Sequence, residues 1–75
     1  MKTTERTNHG YPVIFAIDEQ RFPTEWEFIV ANRGNDEFQP YVSWSRCKKT
    51  GNTYHGNYFD SLQDAVMDAM RRSGH

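Results

Sequence analysis

Apolar residues along the chain change period several times, and each change marks an element. From Pro12 to Asp18 (PVIFAID) they run almost unbroken and are rich in β-branched and aromatic types, the pattern of a strand covered on two sides. Glu25 to Arg33 (EWEFIVANR) alternates instead: Trp26, Phe28 and Val30 fall on one side, with Glu25 and Glu27 opposite. That period of two predicts a half-buried strand. Two further strands are predicted over Tyr41–Lys48 and Thr53–Phe59, joined by a tight turn at Lys49-Thr50-Gly51-Asn52 where Gly51 suits a left-handed position. Pro23 breaks the pattern after the first strand, and Gly34, Asn35 and Asp36 supply the second turn.

Beyond Phe59 the period becomes helical. Leu62, Ala65, Val66, Ala69 and Met70 recur at i, i+3, i+4, i+7 and i+8, a single apolar stripe. Ser61 is placed to cap this helix, with Asp64 three residues on in the manner of a capping box, and Gly74 to end it. Asp60 and Asp64 lie at the positive end of the helix dipole, Arg71 and Arg72 at the negative end. The order predicts an α+β fold: a four-stranded antiparallel meander with one C-terminal helix packed on one face (β-β-β-β-α). Residues 1–10, polar and without period, are expected to be a flexible N-terminal arm, and residues 11–75 a single small domain.

One helix covers one sheet face. The other is expected to carry Ile29, Ala31, one side of the first strand, and Tyr54 and Tyr58. An aromatic face of that kind would serve a partner or a second copy, since monomers rarely expose large apolar patches.

Composition supports a folded chain with little apolar surplus. Leu, Ile, Val and Phe number 13 of 75 residues, few for a globular protein, but the net charge is only −1 and eleven aromatics supply the missing area. Chains this short commonly need a staple or a partner subunit. Cys47 is the lone cysteine, so no internal disulfide serves, and a lone thiol fits a reducing, cytoplasmic setting. The first ten residues have no apolar stretch of the signal-peptide kind, and nothing approaches the length of a membrane span.

The candidate chemistry gathers on the third and fourth strands. Trp44, Arg46, Lys48, Lys49, Tyr54, His55 and Tyr58 mix aromatics with cations, and no acid occurs between Tyr41 and Phe59. Flat aromatic faces can stack bases and nearby cations can hold phosphates, so nucleic acid is one partner class. The other reading is that strands attract aromatics in any case and that lysines at an edge deter aggregation. A dedicated nucleic-acid binder usually has a strongly basic balance, which this chain lacks.

Other constellations point away from catalysis. Cys47 and His55 lie on adjacent strands but have no evident third group to orient them, and there is no C-x-x-C or H-x-x-x-H spacing for a metal. Glu25 and Glu27, and Asp64 and Asp68, are expected on solvated faces rather than in the enclosure a carboxylate pair needs. Met70 belongs to the core stripe, with Met67 at its margin. No phosphate-cradling or nucleophile-elbow motif occurs.

The stretch GNTYHGNYFDSLQDAVMDAM, about a third of the chain, is similar to the sheet-then-helix end of AP2-type DNA-binding domains, where a glycine and an F-D-[ST] step lead into an alanine-rich helix. HicB-type antitoxins carry a comparable step. The resemblance implies a sheet that reads DNA. AP2-type sheets use several arginines there, whereas this hairpin offers Arg46 and two lysines. The expectation is therefore a non-enzymatic cytoplasmic module without cofactor or metal, acting through protein contacts on an aromatic sheet face and self-associating, with Trp44, Tyr54 and Tyr58 as anchors. Nucleic-acid binding through the 41–59 hairpin is the alternative.

Overall fold

The computed structural model describes residues 7–8, 10–34 and 38–74. Its elements are β1 (Thr7–Asn8), β2 (Tyr11–Asp18), β3 (Trp26–Asn32), β4 (Tyr41–Cys47), β5 (Thr53–Phe59) and α1 (Leu62–Ser73). The four long strands form the predicted antiparallel meander, with α1 packed on one face. A two-residue strand precedes them: Thr7 and Asn8 pair with Pro12 and Tyr11, so part of the expected arm is a hairpin margin. Residues 1–6 and 9 of that arm lie outside the described residues.

The β3–β4 pair is the spine, in unbroken register from Trp26↔Cys47 to Asn32↔Tyr41. Its side chains are buried on both faces. Phe28 and Val30 join Ala65 and Ala69 under the helix, with Phe15, Ile17, Tyr41, Phe59 and Val66 around them. Ile29, Ala31, Val42 and Trp44 make a second cluster on the opposite face, flanked by Tyr11 and Val13. The doubly covered strand is therefore β3, and not the first apolar run. Along β2, exposure alternates from Val13 to Asp18, and beyond Pro12 its outer side has no partner strand among the described residues.

The helix ends are built as the sequence predicts. Ser61 is extended (φ −121°, ψ 147°) and its Oγ accepts from the Asp64 amide at 3.1 Å. Gly74 adopts φ 96°, the left-handed conformation that favours glycine. The Gln20 amide donates to the Ser73 carbonyl at 2.8 Å and pins the helix C-terminus beside the end of β2.

The buried stripe, however, differs from the predicted one. Ala65, Asp68, Ala69 and Ser73 face inward, while Leu62 and Met70 are 42% and 40% exposed. The cause lies opposite: Ser43 on β4 and Asn57 on β5 present polar groups to the helix, and Asp68 binds both. A polar patch on the sheet rotates the helix onto its own polar side.

A bulge shapes β5. Ser43 pairs with Asn57 but Ser45 pairs with Tyr54, so two β5 residues, His55 and Gly56, stand against Trp44. His55 takes φ 56°, unusual outside glycine. A Cβ on Gly56 would lie 2.7 Å from Trp44 Nε1 and 2.9 Å from its Cδ1. The absent side chain at Gly56 is what lets the indole lie across β5. Gly56→Ala is expected to cost about 1–3 kcal/mol in denaturant unfolding. Combining it with Trp44→Phe should recover part of that loss, since the two positions share one contact; strict additivity of the two costs would disprove it.

Candidate interaction surface

The seven candidate residues do not form one surface. Trp44, expected as an anchor, is 8% exposed and lies in the second cluster, enclosed by the protein itself. Tyr54 and Tyr58, both 43% exposed, are four residues apart and were expected on one face. The bulge separates them. Tyr58 pairs with Val42 and lies under the Arg33 guanidinium, 4.6 Å from the ring centre, on the helix-free face. Tyr54 pairs with Ser45 and meets Trp26 edge to face, ring centres 5.9 Å apart, on the face that carries the helix.

The cations of the hairpin are largely committed inside the fold. Arg46 Nη1 donates to Glu27 Oε2 at 2.7 Å, directly across the β3–β4 ladder. Glu27 is thereby buried, with 6% exposure, and is not on the solvated face expected for it. Lys48 Nζ donates to Asp18 Oδ1 at 2.8 Å and to the Pro23 carbonyl at 2.5 Å, tying the turn to the far end of β2. Lys49 is exposed at the turn, and among the described residues it is the hairpin cation without an acidic partner. His55 is exposed, and its role visible here is through its backbone carbonyl.

The main polar centre involves Asp68, which was expected on the outer helix face. Its Oδ2 accepts from Ser43 Oγ at 3.0 Å, Asn57 Nδ2 at 3.2 Å and Arg72 Nη1 at 3.3 Å, while Oδ1 accepts from Arg71 Nη2 at 3.2 Å. Arg72 also reaches the Ser43 carbonyl at 3.3 Å and the His55 carbonyl at 2.9 Å, with its guanidinium 5.3 Å from the Phe28 ring centre. Desolvation pushes the Asp68 carboxyl up, but the bonds from Asn57, Ser43 and Arg72, with the Arg72 charge, together hold it below the ordinary aspartate value. Both carboxylate oxygens of Asp68 have donors, so the arrangement of this cluster is that of a joint. The available signal was the Asp68–Arg72 spacing of four, together with small polar residues alternating on the strands.

Cys47 and His55 are not brought together. The Cys47 amide bonds to the Asn52 carbonyl at 2.9 Å, whereas His55 stands in the bulge three steps further along, roughly 10 Å at the strand rise. The Cys47 thiol is held below its usual value, first by the Thr50 amide, then by the Thr50 hydroxyl and the Lys49 amide. Among the described residues, no three of His, Cys, Asp and Glu are grouped as metal ligands, and no helix is long and apolar enough to cross a membrane.

The exposed large apolar residues are therefore of two kinds. Phe22 and Phe38 lie in loops, the latter 90% exposed. Ile14, Leu62, Met67 and Met70 are on β2 and α1. No protein-family model matches the chain, and comparison with curated proteins and with solved structures finds no match.

Asp68→Ala is expected to cost about 3–5 kcal/mol, because it strands Arg72 and Ser43; Asp68→Asn should cost less. Since the folded carboxyl is depressed, its contribution is present above the unfolded aspartate value and is lost as pH falls through the folded one. Acid unfolding followed by circular dichroism should show a shallower slope there for Asp68→Asn, and parallel curves would contradict the assignment. For Cys47, thiol alkylation followed against pH should show a midpoint below that of an unstructured cysteine, and Thr50→Val should move it upward.

Proposed function

We propose that this chain is a small, non-enzymatic, cytoplasmic binding module that acts through protein contacts. The rotated helix carries this reading. Asp68 and Arg72 occupy inward positions, so Leu62 and Met70, which sequence periodicity assigns to the core, are turned outward with Met67 beside them. Exposed apolar side chains gathered on one element mark contact surfaces, and methionine adapts to irregular partners. Tyr54 and Tyr58 add aromatic area at the β5 margin. The commitment of Arg46 to Glu27 and of Lys48 to Asp18, with a net charge of −1, favours protein over nucleic acid as the partner class.

A photo-reactive phenylalanine analogue placed at Met67 tests this. Irradiation in cells should give discrete protein adducts, and the same group at Lys49 should not. Leu62→Gln with Met70→Gln should abolish the adducts while changing stability by less than about 1 kcal/mol, as exposed positions do. Nucleic-acid adducts from Lys49 and none from Met67 would reverse the choice of partner.

A further inference from the structure

We infer that two copies of this chain pair through the outer faces of their α1 helices, antiparallel about a two-fold axis at Met67, to give a sheet–helix–helix–sheet sandwich. The inference rests on the protein-contact reading above and names the partner as a second copy.

The helix face comes first. Ala65, Asp68, Ala69 and Ser73 are buried, so the opposite side of α1 is turned away from the sheet. At about 100° per residue that side centres on Met67, with Gln63 and Met70 about 40° and 60° to one flank, and Arg71 and Asp64 about 40° and 60° to the other. All five residues are exposed. Gln63, Met67 and Met70 are spaced by four and then three, the spacing of the seam between two paired helices. The two methionines are unbranched and adapt to whatever packs against them.

Charge selects both the partner and the direction. Asp64 and Arg71 share a flank but are seven residues apart, about 10 Å along the axis, and so are not neighbours on one helix. A two-fold axis normal to the plane of two antiparallel helices carries each position to the opposite height on the same flank. Asp64 of each copy then meets Arg71 of the other, twice over. On the second flank Met70 lies over Gln63 of the other copy, and Met67 meets its own counterpart at the axis. Such an interface is self-complementary, as a two-fold contact must be. A parallel pair would instead set Asp64 level with Asp64 and Arg71 level with Arg71. Antiparallel pairing also opposes the two helix dipoles.

Arg71 is able to serve this contact without giving up its place in the fold. Its Nη2 donates to Asp68 Oδ1 at 3.2 Å while its side chain stays 71% exposed, and a guanidinium carries five donor hydrogens. A net charge of −1 lets two copies approach with little repulsion. The contact is small. A helix of 12 residues is about 18 Å long and covers less than the roughly 800 Å² per partner of a standard interface. The dimer is therefore weak, forming between micromolar and millimolar concentration.

Sedimentation of the full chain over that range tests the pairing, with far-ultraviolet dichroism as the check on folding. Asp64→Lys and Arg71→Glu each place like charges at both ends of the contact, and each alone should weaken the dimer roughly tenfold or more. Mixed in equal amounts they should associate as the unaltered chain does, because every acid again meets a base. Met67→Lys, at a fully outward position, should abolish the dimer and decides the matter if either charge variant loses its helix. A monomer throughout overturns the pairing. So does a dimer indifferent to these variants, or a mixture no more associated than its components. If the purified chain is monomeric while the photo-reactive group at Met67 still captures other proteins in cells, pairing fails and the protein-contact reading stands. A monomer that gives no adducts from Met67 ends both.

Discussion

The buried carboxylate of Asp68 is the interaction on which the orientation of the helix depends, since it reaches Ser43 on β4 and Asn57 on β5 at once and is itself charge-matched by Arg72. A half-satisfied version of this cluster would be worse than an apolar core, because each buried polar atom left alone carries its full desolvation cost. Complete satisfaction makes the joint directional: only one rotation of α1 brings Asp68 over Ser43 and sends Arg72 to the His55 carbonyl. The apolar contacts of Ala65 and Ala69 then pack at close range because both side chains are small.

From that rotation the surface follows. Leu62 and Met70 lose their inward places and are turned outward, while the sheet face away from the helix closes over its own cluster. Trp44 closes it by lying over Gly56, a position where a methyl group would collide with the indole. The bulge that positions Gly56 also turns His55 into the left-handed region and so aims its carbonyl at Arg72. The same local irregularity thus serves both faces of a sheet that has little apolar material to spare. The Glu27–Arg46 pair alongside Trp44 fills the rest of that face with charge-matched rather than apolar groups.

Much of the architecture was legible in local pattern. The period-two run of β3, the glycine turn at Gly51, the Ser61 cap and the Gly74 stop each specify their conformations within a few residues, and the meander with its helix follows from their order. The candidate surface was far less legible. Alternation places Tyr54 and Tyr58 on one face, but a bulge is one extra residue with no compositional mark strong enough to override that count. Glu27 and Asp68 read as solvated because their partners, Arg46 and Ser43, are remote in sequence and meet them only across strands.

What the chain determines by itself is therefore whatever depends on neighbours in sequence: four strands, their turns, and a capped helix of known polarity. Which side of that helix faces inward, which aromatics are enclosed and which cations are spent were decided by the tertiary structure alone. The physical reason is that a buried polar group takes its orientation from the partner that desolvates it, and here those partners lie some twenty residues away.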